Sequence, residues 1–445
     1  MKHIYIIIFL SVLSFQLNAQ EKVSFSLNEA IENSLKNNFN IKKAQNNVLK
    51  AQKKVWETTA MGLPQINADV SYQKFIEQPV QMVPATLANP SAPPDLYVPI
   101  RFGTEQNMKW AATLKQLIFS GSYLVGLQSS KTFKKISEYA LQKTRQKIKE
   151  ATVNAYGNAL MTDESIKIMQ KNIKTVKQNL FEVEQMYKNG LVEETDLEQL
   201  LITFSNLENQ LDYLKRVKKT AYQMLNYIMG RPVDAPIQLS DNIETLKEEY
   251  MQLNILQEPF SPEQNIDYII TKNHEKAKKL QVKYQKTQAL PTIAAFINYG
   301  KNAYDNEFNF FNETKSWYEQ SILGISIQIP LFSTGMRAAK LQQAKIDLEN
   351  AKNDVNEKAK ELLLQYRKLK NEYEHSFKNY EIAKQNLRLS EKIERKEQIK
   401  FIEGVGNSFQ LNQARMQLYQ SQQDYLKSII NIINKKVALE NILSK

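Results

Sequence analysis

The 445-residue chain has no cysteine and only three histidines. Without cysteine it has no disulfides, no thiolate metal sites and no lipid anchor on a cysteine of the mature chain. His3 lies in an N-terminal leader, and His274 and His375 are isolated among lysines and glutamates, as solvated side chains usually are. Two isolated histidines do not provide the clustered side chains of a catalytic centre or a zinc site, so we predict no enzyme activity, no cofactor and no metal.

The sequence also lacks a run of eighteen apolar residues after its leader, and we predict no transmembrane helix in the mature chain. In the leader, Lys2 and His3 precede the apolar run 4–17, and the small residue Ala19 follows it. This pattern predicts a secretory signal peptide over residues 1–20, cleaved near Ala19 or Gln20. An uncleaved N-terminal anchor is the alternative.

A formal net charge of +12 raises the question of a nucleic-acid partner. The lysines alternate with glutamates and glutamines along amphipathic helices and do not cluster with aromatic residues, so a solvated helix face explains them better. Together with the export signal, this distribution predicts no nucleic-acid partner. Hydrophobic residues make up 42% of the chain, which is enough for a substantial core.

Two apolar seams on either side of residue 190 have the alternating spacing of three and four that is typical of coiled coils. The first seam consists of Ile166, Met169, Ile173, Val176, Leu180, Val183 and Tyr187, and the second of Leu197, Leu200, Phe204, Leu207, Leu211, Leu214, Ala221, Leu225 and Ile228. Asn189 and Gly190 form a C-cap signal, and Thr195 and Asp196 an N-cap signal. We predict a hairpin with a long helix over 122–188, a tip over 189–195 and a returning helix over 196–229.

The same hairpin recurs 214 residues later, which indicates an internal duplication. Its long helix is predicted over 336–402, its tip over 403–408 and its returning helix over 409–443. In each copy 69 residues separate the glycine before the long helix from the glycine of the tip. A continuous helix of this length extends roughly 100 Å, far beyond the helices of globular domains. This reach suits a periplasmic space.

Each copy also contains two segments that alternate between apolar and polar residues, as strands do. We predict a helix over 27–61, strands over 64–75 and 107–119 in the first copy, and strands over 291–300 and 318–331 in the second. The apolar sets match position by position: Ile66, Ala68, Val70 and Tyr72, then Ile293, Ala295, Ile297 and Tyr299. The copies are assigned to 21–232 and 263–445, with a connector over 233–262 and a proline-rich loop over 79–99.

Apolar and polar faces, with aromatic residues towards the loop ends, are typical of outer-membrane barrel strands. A soluble sandwich strand alternates too, but the repeated pairs beside very long helices favour a barrel. Four strands do not close around a polar interior, and open edges are not tolerated in hydrocarbon. Other copies of the chain must supply the remaining strands, and the strand count alone leaves dimer, trimer and tetramer open.

The chain resembles the TolC family of outer membrane efflux channels over essentially its whole mature length. The order and duplication of its motifs carry this resemblance: the opening Leu27, Ala30, Ile31, Leu35 and Asn38, the paired Leu-Pro junctions, the paired junctions resembling Phe-Ser-Gly, and the two tips. The resemblance implies a homotrimer, with one twelve-stranded β-barrel in the outer membrane and a periplasmic α-barrel. It further implies a periplasmic adaptor and an inner-membrane pump of the RND or ABC type as partners, and outer-membrane lipid around the barrel.

The resemblance also assigns roles to the two tips. Adaptor docking and gating are expected at the residues Gly190, Leu191, Thr195, Asp196, Gly404 and Gly406. Thr195 and Asp196 match a Thr-Asp pair of the family's gating network, although both could simply cap the returning helix. Where some members have an arginine this chain has Gly406, and where they have lumenal aspartates it has Gln410 and Gln413. We predict an uncharged pore constriction at these glutamines.

The sequence therefore predicts a passive channel that exports drugs and other toxic small molecules with a pump and an adaptor. The alternatives are a channel for type I protein secretion and, in a different class, a periplasmic coiled-coil scaffold that never enters a membrane. A secreted enzyme on helical repeats lacks the clustered residues that catalysis needs.

Overall fold

The computed structural model of the chain describes residues 23–87, 90–251 and 253–444. The predicted signal peptide, residues 1–20, lies outside the described residues. The described residues form eight α-helices: α1 Leu27–Asn37, α2 Phe39–Ala60, α3 Gly121–Lys188, α4 Glu194–Ile228, α5 Ile243–Tyr250, α6 Ile266–Thr287, α7 Met336–Ile402 and α8 Ser408–Leu443. They also form eight strands: β1 Val23–Phe25, β2 Gln65–Lys74, β3 Val80–Pro84, β4 Tyr97–Arg101, β5 Gln106–Ser120, β6 Ile237–Leu239, β7 Thr292–Asp305 and β8 Tyr318–Gln328.

The chain folds into two compact units. Of the described residues, the sheet unit comprises Lys50–Lys135 and Asn273–Lys352, and the helical unit comprises 23–49, Ile136–Lys272 and 353–444. Among the described residues, no helix has an apolar stretch of the length and hydropathy that crossing a membrane requires.

The sheet unit is built on an antiparallel sheet with the strand order β2, β5, β7, β8. The apolar residues that alternate in sequence lie on one face, and on β8 the residues Leu323, Ile325 and Ile327 are exposed. All four helix–strand junctions lie at the same end of the strands, since Gln65 pairs with Lys115, Ser120 with Thr292 and Thr292 with Gln328. The sheet therefore presents an uncovered apolar surface, and the helices are attached at one end of its strands.

A tight contact fixes the junction between α2 and β2. A Cβ atom on Gly62 would lie 2.3 Å from the ring of Tyr123, so any other residue would displace that ring. Tyr123 Oη donates a hydrogen bond to Thr59 O at 3.1 Å, and Gln116 Nε2 donates one to Gly62 O at 2.8 Å. Because all four residues belong to helix–strand boundaries, these bonds hold the two neighbouring junctions together.

The prediction of one helix over 27–61 is wrong at Asn38, where the backbone leaves the helical conformation with ψ at 132°. Asn38 Nδ2 donates a hydrogen bond to Ile228 O at 2.7 Å, 190 residues away. A Cβ atom on Gly230, whose φ is +70°, would lie 2.4 Å from Asn37 O. The break thus comes from packing against the end of α4, which local helix propensity does not reveal.

Two segments predicted without regular structure contain it. The loop over 79–99 includes β3 and most of β4, which form an antiparallel hairpin in which Val83 pairs with Val98. The connector over 233–262 contains β6 and α5. Strand β7 extends to Asp305, five residues beyond its predicted end. Proline lacks an N–H donor, but a pair of edge strands tolerates it. The prolines of the β3–β4 hairpin therefore hide its strands in the sequence.

A buried tyrosine joins three segments of the helical unit. Tyr156 Oη, on α3, lies 2.9 Å from Phe25 O and 2.9 Å from Asp241 Oδ2. Asp241 also accepts a hydrogen bond from Leu27 N at 2.6 Å. Burial and the neighbouring Asp241 carboxylate raise the pKa of Tyr156, so the phenol stays protonated and remains a donor. The short parallel pair β1 and β6 is held against α3 in this way.

We expect the Tyr156→Phe variant to lower the free energy of unfolding by about 1–3 kcal/mol, because buried acceptors lose their donor without any change in packing. The measurement is thermal unfolding of the purified protein, followed by circular dichroism. Tyr227→Phe, on the exposed end of α4, is the matched control. Equal melting temperatures for the two variants would show that the Tyr156 hydroxyl contributes nothing to stability.

Candidate functional site at the hairpin tips

Both tips belong to the helical unit, and each ends a long helix with a glycine in the left-handed region. The φ angle is +69° at Gly190 and +74° at Gly404. At the first tip, Leu191 N donates a hydrogen bond to Met186 O at 2.9 Å; at the second, Gly404 N donates one to Phe401 O at 3.1 Å. These bonds satisfy carbonyl groups that the last helical turn leaves free, as expected of C-terminal glycine caps.

The first tip differs from the prediction at its N-cap. Helix α4 begins at Glu194, and Glu193 is the N-cap in place of the predicted Thr195 or Asp196. Asp196 lies in the first turn, and its Oδ2 accepts a hydrogen bond from Glu193 N at 3.3 Å. Thr195 is exposed, and its hydroxyl donates to Glu193 Oε2 at 3.3 Å. Both predicted residues therefore stabilise the start of α4 from within its first turn, without being the cap itself.

The second tip is closed by Asn407, whose Oδ1 accepts a hydrogen bond from Gln410 N at 2.8 Å. Gly406 sits against the last turn of α7, and a Cβ atom on it would lie 3.0 Å from Lys400 Cβ. Close backbone approach therefore favours glycine at this position. By contrast, a Cβ atom on Gly190 or Gly404 would meet nothing within 4 Å, and Leu191 is exposed.

The two hairpins meet in a common apolar core. Its buried residues come from all four helices: Met169, Val176, Val183, Leu200, Leu207, Phe401 and Leu411. Most of them belong to the two seams that the sequence predicts. The tips are therefore the ends of one packed four-helix arrangement and not of two independent coiled coils.

A seam of uncharged hydrogen bonds runs beside this core and joins the first hairpin to the second. We call it the neutral seam, and it comprises these bonds: Gln398 Nε2 to Asn179 Oδ1 at 3.4 Å, Ser408 Oγ to Gln199 Oε1 at 3.2 Å, Thr203 Oγ1 to Asn412 Oδ1 at 3.0 Å, Asn172 Nδ2 to Gln422 Oε1 at 2.9 Å and Ser165 Oγ to Gln423 Oε1 at 3.1 Å. Each bond joins an amide to a hydroxyl or to another amide. Local sequence patterns do not reveal this seam, since its partners lie more than 200 residues apart.

A buried ion pair lies within the second hairpin. Arg415, on α8, is 3% exposed, and its Nε lies 3.5 Å from Glu394 Oε1 on α7. Burial lowers the pKa of the Arg415 guanidinium, although Glu394 opposes this effect. Arg415 also lines a cavity of about 30 Å³ together with Asp196 and Phe401. The signal in the sequence is that Arg415 directly follows Ala414, which is itself buried in α8.

Gln410 and Gln413 are both exposed, three residues apart on one side of α8. Neither side chain belongs to the core between the hairpins. Their position leaves them accessible from solvent in the single chain, and their role as a pore constriction stays a prediction. Thr195, Leu191 and the tip glycines are likewise on the surface of the helical unit.

Comparisons with known proteins support the fold. VceC from Vibrio cholerae superposes with a TM-score of 0.72 over 94% of this chain and 95% of its own, at 15% identity. CusC gives a TM-score of 0.75 over 96% and 95%, at 14% identity. These likenesses confirm the predicted fold class, mainly α-helical with a small β-sheet.

The match to a family model gives the family. The chain is 23% identical over 248 residues to the alkaline protease secretion protein AprF of Pseudomonas aeruginosa. This match covers 53% of the chain and 49% of AprF, so it spans about half the length of that relative. The family model described as outer membrane efflux protein matches residues 30–231 and 273–445, well over half of the chain. The chain belongs to the outer membrane efflux protein family, whose members are non-enzymatic channels of the Gram-negative outer membrane.

Proposed function

We propose that the chain forms, as a homotrimer, the outer membrane channel of a tripartite export system. A periplasmic adaptor and an inner-membrane pump would be its partners, and small toxic molecules its cargo. The channel itself would be passive, with the inner-membrane pump supplying the energy for export.

The sheet carries this proposal. Within the described residues, β2 and β8 each pair with a neighbour on one side only, and β8 exposes a row of large apolar side chains. Hydrocarbon tolerates neither unpaired backbone edges nor an exposed polar face. Joining β8 of one copy to β2 of the next removes both free edges, and three copies give the twelve strands that the family resemblance implies.

The trimer is tested by chemical crosslinking of the protein in isolated outer membranes, and the channel by single-channel conductance in planar bilayers. A crosslinked trimer that conducts supports the proposal. A monomer that stays in the periplasmic fraction and does not conduct would instead identify the coiled-coil scaffold that the sequence left open.

A second candidate function is type I protein secretion, because AprF is by its name a secretion protein for alkaline protease. The two functions differ in cargo and pump, and both use the same channel. Drug susceptibility and the secreted proteins of a strain lacking this chain distinguish them. Increased susceptibility with unchanged secretion supports efflux, and loss of one secreted protein with unchanged susceptibility supports secretion.

The uncharged constriction proposed at Gln410 and Gln413 leads to a conductance prediction. Multivalent cations bind carboxylate rings strongly and amides weakly, so we expect the native channel to conduct almost unchanged when divalent or trivalent cations are added. The double variant Gln410→Asp, Gln413→Asp should become sensitive to block. Gln210→Asp, on the exposed side of α4, is the control and should not. Strong block of the native channel from the tip side would contradict the proposed constriction.

A further inference from the structure

The positive charge of the chain is concentrated in the helical ends that adjoin the sheet. These are the parts of four helices that belong to the sheet unit, residues 50–60, 121–135, 273–287 and 336–352, which we call the basic collar. The collar holds fifteen lysine or arginine residues and four acidic residues, an excess of eleven positive charges. Since the whole chain carries +12, the rest of the protein is nearly neutral.

An apolar surface lies between the collar and the sheet. The large side chains at the helix–strand junctions are exposed, among them Leu63, Ile118 and Leu290. The most exposed are Leu331 and Phe332, each 86% accessible, just after β8 ends at Gln328. Exposed apolar residues beside a band of lysines are typical of a surface at the boundary between hydrocarbon and headgroups.

A cavity of about 590 Å³ opens where the two surfaces meet, between α6 and the start of α7. It is lined by amide, apolar and cationic side chains, including Gln281, Gln288, Phe332, Met336, Arg337 and Lys340, and by the carboxylate of Asp347, which pairs with Lys278 at 2.8 Å. A cavity with one apolar wall and two cations matches a ligand that has an anionic head and an apolar tail.

Arg337 is held rigidly at the wall of this cavity. Its Nη1 donates to Pro330 O at 2.6 Å, its Nη2 to Leu331 O at 3.2 Å and its Nε to Ser333 Oγ at 3.0 Å. These bonds hold a turn in which Thr334 has a φ of +48°. Lys340 is exposed one turn further along α7, on the same side as Arg337. The guanidinium of Arg337 is thus fixed by the backbone, whereas the ammonium group of Lys340 is able to adjust to a ligand.

We propose that the basic collar binds the headgroups of anionic phospholipids, and that the cavity beside Arg337 and Lys340 holds one such headgroup phosphate. This inference rests on the proposed function, because it requires the apolar face of the sheet to lie in the outer membrane. A phospholipid satisfies both the cations and the exposed apolar residues, whereas a soluble anion leaves Leu331 and Phe332 in water. The adjacent leaflet therefore contributes anionic lipid to the site.

The test is native mass spectrometry of the detergent-purified protein, titrated separately with phosphatidylglycerol and phosphatidylethanolamine. We expect the wild type to retain phosphatidylglycerol preferentially. Lys340→Gln should weaken its retention about fivefold, as expected for one lysine at an anionic headgroup, and leave phosphatidylethanolamine retention unchanged. Lys177→Gln, an exposed lysine of the helical unit, is the control and should behave as the wild type. Equal retention of both lipids by the wild type, or equal retention of phosphatidylglycerol by Lys340→Gln and the wild type, would overturn the inference.

Two further measurements distinguish a lipid site from a purely structural role of Arg337 and from a site for free anions. Arg337→Lys keeps the charge but loses the forked donor, so its melting temperature reports the turn and its lipid retention reports the site. If inorganic phosphate displaces phosphatidylglycerol at equal concentration, the cavity is a site for free anions and the proposal of a lipid fails.

Conductance of the same preparation in pure phosphatidylethanolamine bilayers tests the channel alone. Conductance without lipid preference in the mass-spectrometric titration defeats only this inference. Absence of conductance defeats the proposed function, on which the inference rests.

Discussion

Replacing Glu394 by glutamine is expected to lower the free energy of unfolding of the helical unit by about 3–5 kcal/mol. The change keeps the size of the side chain but leaves the charge of Arg415 without its carboxylate, in a site where Arg415 is 3% and Glu394 14% exposed. A buried charge that loses its partner keeps the free-energy cost of its desolvation, whereas water solvates an exposed charge that loses its partner. Thermal and urea unfolding of the purified protein measure the loss.

The same two helices offer a matched control. Glu372, on α7, and Lys435, on α8, form an ion pair at 2.7 Å in which both side chains are 33% exposed. Because solvent screens this pair, Glu372→Gln should cost no more than about 1 kcal/mol. The double variant Glu394→Gln, Arg415→Met removes both buried partners and should recover most of the lost stability. Equal losses for Glu394→Gln and Glu372→Gln would show that burial does not determine the strength of these pairs.

Replacing Gly190 and Gly404 together by valine is expected to reduce export to background while the trimer still assembles. A side chain at either position meets nothing within 4 Å in the chain itself, so it projects from the tip surface on which an adaptor would dock. Valine also strains the left-handed backbone, by about 1–3 kcal/mol at each site. Export is measured as drug susceptibility in a complemented strain, and assembly by crosslinking in isolated outer membranes.

Asparagine separates docking from backbone strain, because it adopts the left-handed conformation more readily than other non-glycine residues. If the adaptor requires a bare tip, the Gly190→Asn, Gly404→Asn variant also fails to export although its melting temperature is normal. If strain is the cause, asparagine restores both export and stability. Loss of the trimer in the valine variant would assign the two glycines to folding and remove them from the proposed docking site.

The long helices and the four strands of the sheet could be predicted because their signals are periodic and local. Sixty-eight residues of α3 repeat one pattern, and the alternation in β7 and β8 distinguishes strand from helix without any knowledge of the partner. The predictions are wrong where a segment distant in sequence determines the backbone conformation. The break at Asn38 depends on a carbonyl of α4, and no window around residue 38 contains that information.

The candidate site was predictable to a smaller extent. Glycine caps mark the two tips directly in the sequence, since a position with left-handed backbone favours glycine whatever its tertiary surroundings. The cap at Glu193 was missed because the Thr195 and Asp196 that follow it are stronger cap formers in general. The pairing of Arg415 with Glu394 and the neutral seam require knowledge of which helix faces lie together. Apolar spacing identifies a buried face but does not identify its partner.

The absence of ionic groups from the neutral seam has a consequence for how the tips open. Dissolved salt screens charges and leaves amide–hydroxyl bonds almost untouched, so ionic strength should have little influence on the separation of the hairpins along this seam. The ion pair of Lys149 and Glu440, which joins α3 to α8 elsewhere, is the contact that salt should weaken. Water replaces each lost bond at a small net cost, since it offers the same donors and acceptors. The two hairpins are therefore able to separate along this seam and to form its bonds again one by one, while Arg415 and Glu394 stay paired within the second hairpin.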